Sequence, residues 1–300
     1  MRLSTTNKSL SSNLSFKDSV RIIKDAGFDA YDMWLGSLYD NPEICAFCKD
    51  DYLKRAKELR RYADELGIVC NQAHAPHEWR LFDAEREKRL DKMVLRSIEI
   101  ASVLGADIIV VHPKQYMVYS EHAQELFEIN MKYFTNLIPY AEKYNIKIAI
   151  ENMWQANNGT HTPTDSVCSR AWEFCKYLDT LNSEWIVGCL DIGHVSLMAT
   201  DIPEFVKTLG SKRLKALHIH DTDFIVDRHT LPFMHKIDYI AVAKALGEIG
   251  YEGDFTFEAF AFYRGKPKEL YPAATKYMCE VGRFLVSEIQ KAKSVLSCDC

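Results

Sequence analysis

The chain has no apolar run of the ~18 residues that a membrane-spanning helix needs, so none of it is expected to cross a bilayer. Met1 to Leu14 is polar and holds no signal-peptide core. Glycine and proline are sparse, at 13 and 9 in 300 residues, and neither gathers into a linker. The chain is therefore read as one domain over 1–300, with a flexible tail from about 294. No GxGxxG follows an early strand, which removes the main support for a dinucleotide fold. Positive charge is not in excess: 37 Lys and Arg against 42 Asp and Glu give a net charge of -5. That balance offers no global attraction to nucleic acid or to an anionic membrane. The nine cysteines are scattered, and an odd number without a targeting segment reads as reduced thiols in a cytoplasm. Cys45-x-x-Cys48 has redox spacing, but no second pair or thioredoxin-like context stands beside it.

What the chain has is a regular alternation of short apolar runs with amphipathic stretches of helical length. Strands are expected near Met1 to Thr5, Asp29 to Trp34, Ile68 to His74, Asp107 to His112, Lys147 to Glu151, Val187 to Asp191, Leu214 to His218 and Asp254 to Glu258. Between and after them, helices are expected over Phe16 to Ala26, Asp50 to Leu66, Ala84 to Leu104, Ser120 to Tyr144, Thr164 to Leu178, Ile202 to Leu209, Asp238 to Ile249 and Lys268 to Lys293. Strands this apolar are buried on both faces, as in parallel sheets. Eight consecutive βα units favour a closed (β/α)8 TIM barrel of the α/β class over an open sheet.

The polar ends of those strands carry the chemistry. Strand three ends in His74, four in His112, five in Glu151, six in Asp191, seven in His218 and eight in Glu258. The C-terminal rim is where a βα barrel keeps its active site. Any one of these residues alone reads equally well as a loop or capping residue. Six in succession do not. Gathering Glu151, Asp191 and Glu258 in one buried place is costly unless a cation joins them. Glu151, Asp191, His218 and Glu258 together form an oxygen-rich set with one imidazole, suited to Mn²⁺, Mg²⁺, Co²⁺ or Zn²⁺. Trp34, Trp79, Trp154 and Phe260 follow strands at the same rim. Such rings pack on the apolar faces of sugars, and would equally suit a lid or a subunit contact. No Gly-rich phosphate loop follows strand seven or eight, so a free sugar fits at least as well as a sugar phosphate.

At Ile150-Glu151-Asn152-Met153, Leu190-Asp191-Ile192-Gly193-His194, Leu217-His218-Ile219-His220-Asp221, Lys236-Ile237-Asp238 and Phe257-Glu258, the chain resembles the xylose-isomerase-like TIM barrels. That group holds sugar (phosphate) isomerases and epimerases together with endonuclease IV, the AP endonuclease family 2. The resemblance implies a carbohydrate substrate and one divalent metal held by Glu151, Asp191, His218 and Glu258. It makes Glu151 and Glu258 the acid/base pair that moves a carbon-bound proton through an enediolate. It places His194 against a substrate oxygen and His220 beside the metal ligands, and carries an expectation of homo-oligomers. The ketose epimerases of the group have an arginine where this chain has Phe224. Arg228 stands nearby as a substitute substrate contact.

Three other readings stay open. The types of the nine zinc ligands of endonuclease IV-like enzymes occur here as His74, His112, Glu151, Asp191, His194, His218, Asp227, His229 and Glu258. Such a multi-metal site would serve phosphoester hydrolysis. A DNA-directed enzyme should also show basic loops; those near Trp79-Arg80 and Met153 to Thr162 are not basic, and a nucleic-acid partner is not expected. The same enolising site would also serve an elimination, as in dehydratases or C-glycoside-cleaving relatives. The third reading, a binding subunit that has lost activity, is opposed by the intact ligand set.

Overall fold

A computed structural model describes residues 1–40, 42–43, 45–78 and 83–298. Eight parallel strands form the barrel: β1 (Leu3–Thr6), β2 (Ala30–Trp34), β3 (Val69–His74), β4 (Ile108–Val111), β5 (Lys147–Glu151), β6 (Ile186–Asp191), β7 (Leu214–His218) and β8 (Phe255–Phe257). They neighbour one another in chain order, and β8 returns to β1 with Leu3 opposite Phe255. The remaining seam, between β7 and β8, is closed just past β7. There Ile219 N donates to Thr256 O and Glu258 N donates to Ile219 O, each at 3.0 Å.

Helices between the strands pack on the outside of the ring. Two of them, Tyr52–Leu66 and Ala84–Leu104, end on glycines with φ of 67° and 83°. Those left-handed caps turn the chain back toward the next strand. Their partners are the outward residues of each strand, which form one large core with the helices.

Side chains alternate along a strand, so residues two apart share a face. Ala149 and Glu151 both face inward, as do Val187, Cys189 and Asp191, and Ala216 with His218. The inward apolar members pack with Val110 as a second small core inside the barrel. The opposite half of the interior is polar. Ser4 Oγ donates to Asn71 Oδ1 at 2.7 Å, and Asn71 Nδ2 donates to Asp254 Oδ2 at 3.0 Å.

One expected helix is corrected. Thr164 to Leu178 does not form a single helix: Trp154–Ala156 and Pro163–Asp165 pair as an antiparallel hairpin, with Gln155 opposite Thr164. The helix begins later, at Ala171–Leu181. Asn157 Oδ1 accepts from the N–H groups of Gly159 and Thr160 at 2.9 and 3.0 Å, which reverses the chain. Pro163 cannot donate within a helix, and Thr162 and Thr164 are β-branched. The hairpin stands over the C-terminal rim. The last helix, Tyr271–Cys298, runs into the stretch expected as a tail. Trp79 and Arg80 lie outside the described residues. No described helix is long and apolar enough to cross a membrane. Cys45 and Cys48 are unbridged; Cys48 Sγ donates to Leu38 O at 3.4 Å, and burial pushes its thiol up to about 11, away from redox reactivity.

Candidate metal centre at the barrel mouth

Glu151 ends β5 and Asp191 ends β6, His218 ends β7 and Glu258 follows β8 by one residue. All four are buried, and each offers a ligand atom within 4.8 Å of the others. Glu151 Oε1 lies 2.9 Å from His218 Nδ1, and its Oε2 lies 2.9 Å from His112 Nε2. Glu258 Oε2 lies 3.8 Å from His218 Nδ1 and 3.3 Å from His229 Nδ1. His74 comes within 3.5 Å of Glu151 and forms a three-residue group with Glu151 and His218.

A second group adjoins the first. His194, His220, Asp227 and His229 also bring ligand atoms within 4.8 Å of one another. Asp227 Oδ2 lies 3.0 Å from His229 Nε2 and 3.5 Å from His194 Nε2. Backbone carbonyls fix two of the imidazoles. His74 Nδ1–H donates to Ala75 O and His194 Nδ1–H to Asn152 O, each at 2.8 Å. Both rings therefore turn Nε2 toward carboxylates, the orientation in which an imidazole can meet a metal.

The carboxylates and imidazoles set one another's charge. Burial pushes the Glu151 carboxyl up, but His218 and His112 outweigh it and hold it well below the usual carboxylate range. Burial likewise opposes ionisation of Glu258, yet His218 and His229 bring it to about 2. Asp227 is held well down by His229 and His194 against the same burial. In return His194 and His218 rise well above an ordinary imidazole despite burial, His194 beside Asp191 and Asp227, His218 beside Cys189 and Glu151. Buried anions in this number call for positive charge. A divalent cation would supply it with the donor types it prefers, so the residues present fit a metal.

The neighbours of these candidate ligands are fixed as well. Asn152 braces β5 to β6: its Oδ1 accepts from Asp191 N at 2.7 Å and its Nδ2 donates to Asp191 O at 3.0 Å. Asp191 Oδ1 accepts from His194 N at 2.7 Å, capping the short helix Ile192–Leu197. His220 is buried off the cavity with Nε2 against Asp191. A Cβ on Gly193 would fall 1.9 Å from the His220 ring, so glycine is required there.

Above the ligands opens a cavity of about 920 Å³, bordered by Trp154, His194, Glu151, Glu258 and His229 among others. Of the expected substrate contacts, His194 and Trp154 line it. Trp34 does not border it; its ring lies 4.9 Å from that of His74. Arg228 is turned away: its Nε and Nη2 donate to Asp223 Oδ2 at 2.9 and 2.6 Å, and it does not border the cavity. Lys8, His77 and Asp32 went unnoticed in the sequence, because each sits in a run with no ligand-like spacing. His77 stacks on His112 with centroids 4.2 Å apart. Asp32 is fully buried, and burial, against the pull of His218, pushes it up to about 6.

The family model described as xylose isomerase-like TIM barrel matches residues 20–281. An uncharacterised protein of Methanocaldococcus jannaschii, MJ1311, is 28% identical over 253 residues, covering 81% of this chain and 79% of that protein. Fructoselysine 3-epimerase of Shigella flexneri is 22% identical over 267 residues, 85% of this chain and 89% of that one. Among solved structures, an IolI protein with a bound zinc atom superposes with a TM-score of 0.69 at 19% identity, over 97% of this chain and 99% of that one.

Proposed function

The chain belongs to the xylose isomerase-like TIM barrel family, and from that premise we propose that it is a divalent-metal-dependent enzyme that epimerises or isomerises a sugar. The observation that carries this reading is the convergence of Glu151, Asp191, His218 and Glu258 beneath an open cavity. The names of fructoselysine 3-epimerase and of the zinc-holding IolI protein support it.

The four ligands would hold the ion. Bound there, it would polarise a substrate carbonyl and acidify the hydrogen on the neighbouring carbon. Glu151 and Glu258 stand on separate walls of the barrel, on β5 and past β8. Both are kept ionised by imidazoles, as a proton acceptor must be. One carboxylate removes the proton from one face of the carbon. Return from the other carboxylate to the opposite face inverts that carbon; return by the same carboxylate to the adjacent carbon isomerises the sugar. His194 and Trp154 border the space the sugar would fill, and Asn152 and His220 hold Asp191 in place.

The second cluster, around Asp227 and His229, favours one alternative, a multi-metal phosphoesterase. Against it, Lys8 is the sole Lys or Arg among the described residues that border the cavity, too little for a phosphate backbone. Two measurements test the reading. Elemental mass spectrometry on untagged protein purified without chelator should find about one divalent metal per chain. Solvent deuterium should then enter a ketose in a metal-dependent way. Two or three metals with no exchange would transfer the site to phosphoester hydrolysis.

A further inference from the structure

Lys8 begins the short helical turn Lys8–Ser11 directly after β1, at the catalytic rim. Its Nζ lies 3.9 Å from the centroid of the Trp34 ring and 3.7 Å from that of Phe260, and the residue borders the mouth cavity. Among the described residues no carboxylate is ion-paired with it, although Glu258, Asp227 and Glu151 bear on its charge. Salt-bridging is thus not what it does.

The residues on either side fix both rings. Asn7 Oδ1 accepts from Trp34 N at 2.9 Å, and Ser9 Oγ donates to Phe260 O at 2.6 Å. Each ring also rests on a histidine of the cluster: Trp34 on His74, with centroids 4.9 Å apart, and Phe260 on His229, at 4.2 Å. The ammonium is therefore held between two rings that each touch a histidine of the clusters, on a residue that borders the cavity. Ring faces favour the cation without consuming its N–H groups. Burial lowers its pKa from the ordinary lysine value, and the nearby carboxylates oppose that loss.

We propose that Lys8 is a catalytic residue of this site, donating a hydrogen bond to the substrate oxygen that becomes negative when the neighbouring carbon loses its proton. The inference rests on the sugar reading above. In the step, the C–H electron pair becomes the C=C bond and the carbonyl π pair moves onto oxygen. The proton goes to a carboxylate, and Lys8 keeps all of its own. A preorganised donor at such an oxygen is typically worth about 10²–10³ in turnover.

The test is solvent-deuterium exchange into D-fructose, D-tagatose and D-psicose by the metal-loaded protein, followed by NMR. Lys8→Met keeps the stem on the two rings and removes the charge. It should lower exchange turnover roughly 10²–10³-fold, with metal content, melting temperature and KM close to wild type. Lys8→Arg should recover part of the loss, and Lys8→Gln should repeat it should the methionine collapse onto the rings. Wild-type turnover in Lys8→Met, or a loss that merely tracks lost metal or lost fold, overturns the role of Lys8 alone. Wild-type protein that exchanges none of the three sugars overturns the sugar reading and, with it, this proposal.

Discussion

His220 sets its Nε2 3.0 Å from both carboxylate oxygens of Asp191. Its other face stacks on His229, with ring centroids 3.9 Å apart. One imidazole of the second cluster thus aims a candidate ligand of the first while packing against His229.

That pairing depends on Gly193. In Gly193→Ala the new methyl would meet the His220 ring at 1.9 Å and displace it from Asp191. Loss of such an outer hydrogen bond typically costs about 10–100-fold in metal affinity. Competition with a fluorescent chelator reads this directly; unchanged affinity would show that Asp191 needs no support from His220.

Glu151→Gln and Glu258→Gln keep shape and remove the base. Each is expected to reduce deuterium exchange by at least about 10²-fold in protein that remains folded by circular dichroism. Wild-type exchange in either variant would end the two-carboxylate mechanism.

Stability of the metal-free protein should fall over the same pH window in which the contribution of a metal grows. In metal-free protein His194 and His218 have raised pKa values. Their stabilisation is complete below the unfolded value of about 6.5 and is lost as pH rises through the raised folded values. His77 and His112 are lowered, the first by burial and His112, the second by burial against Glu151, so they act only as pH falls below about 6.5. From there upward, the melting temperature in EDTA should fall. The increment added by Mn²⁺ should grow over the same window, since a metal takes the unprotonated imidazole. Parallel curves would mean that these histidines do not compete with the ion.

Arg228→Ala should leave turnover and KM near wild type, because the exposed guanidinium is engaged by half-buried Asp223, away from the cavity. Such a surface pair is worth about 0–1 kcal/mol at most. A large rise in KM would instead require the loop to turn Arg228 inward with substrate.

Much of this was legible before the structure. Eight apolar runs with polar ends give the barrel, and the period of two puts Glu151, Asp191 and His218 on its inner face. Less legible were contacts made only by ring closure. Lys8 lies in a polar stretch far from every ligand, and it meets Phe260 because β1 pairs with β8. Arg228 was expected to stand in for the arginine missing at Phe224, but it pairs with Asp223 while its neighbour Asp227 borders the cavity. The hairpin at Trp154–Ala156 was hidden by apolar residues after Asp165 that carry a helical period belonging to the later helix.

The ring of strands is not sewn equally all round. Among the described residues, β7 and β8 meet through the bridge of Ile219 to Phe257 beyond the end of β7. His218 stands on one lip of that seam and Glu258 on the other. On the proposed reading, an ion held by both would fasten the seam as well as serve the chemistry. The chain's two ends, β1 and the helix Tyr271–Cys298, pack along the β8 side of that seam. Metal supply in the cell would then govern how long each molecule lasts before proteases reach its loosened edge, as well as how fast it turns over.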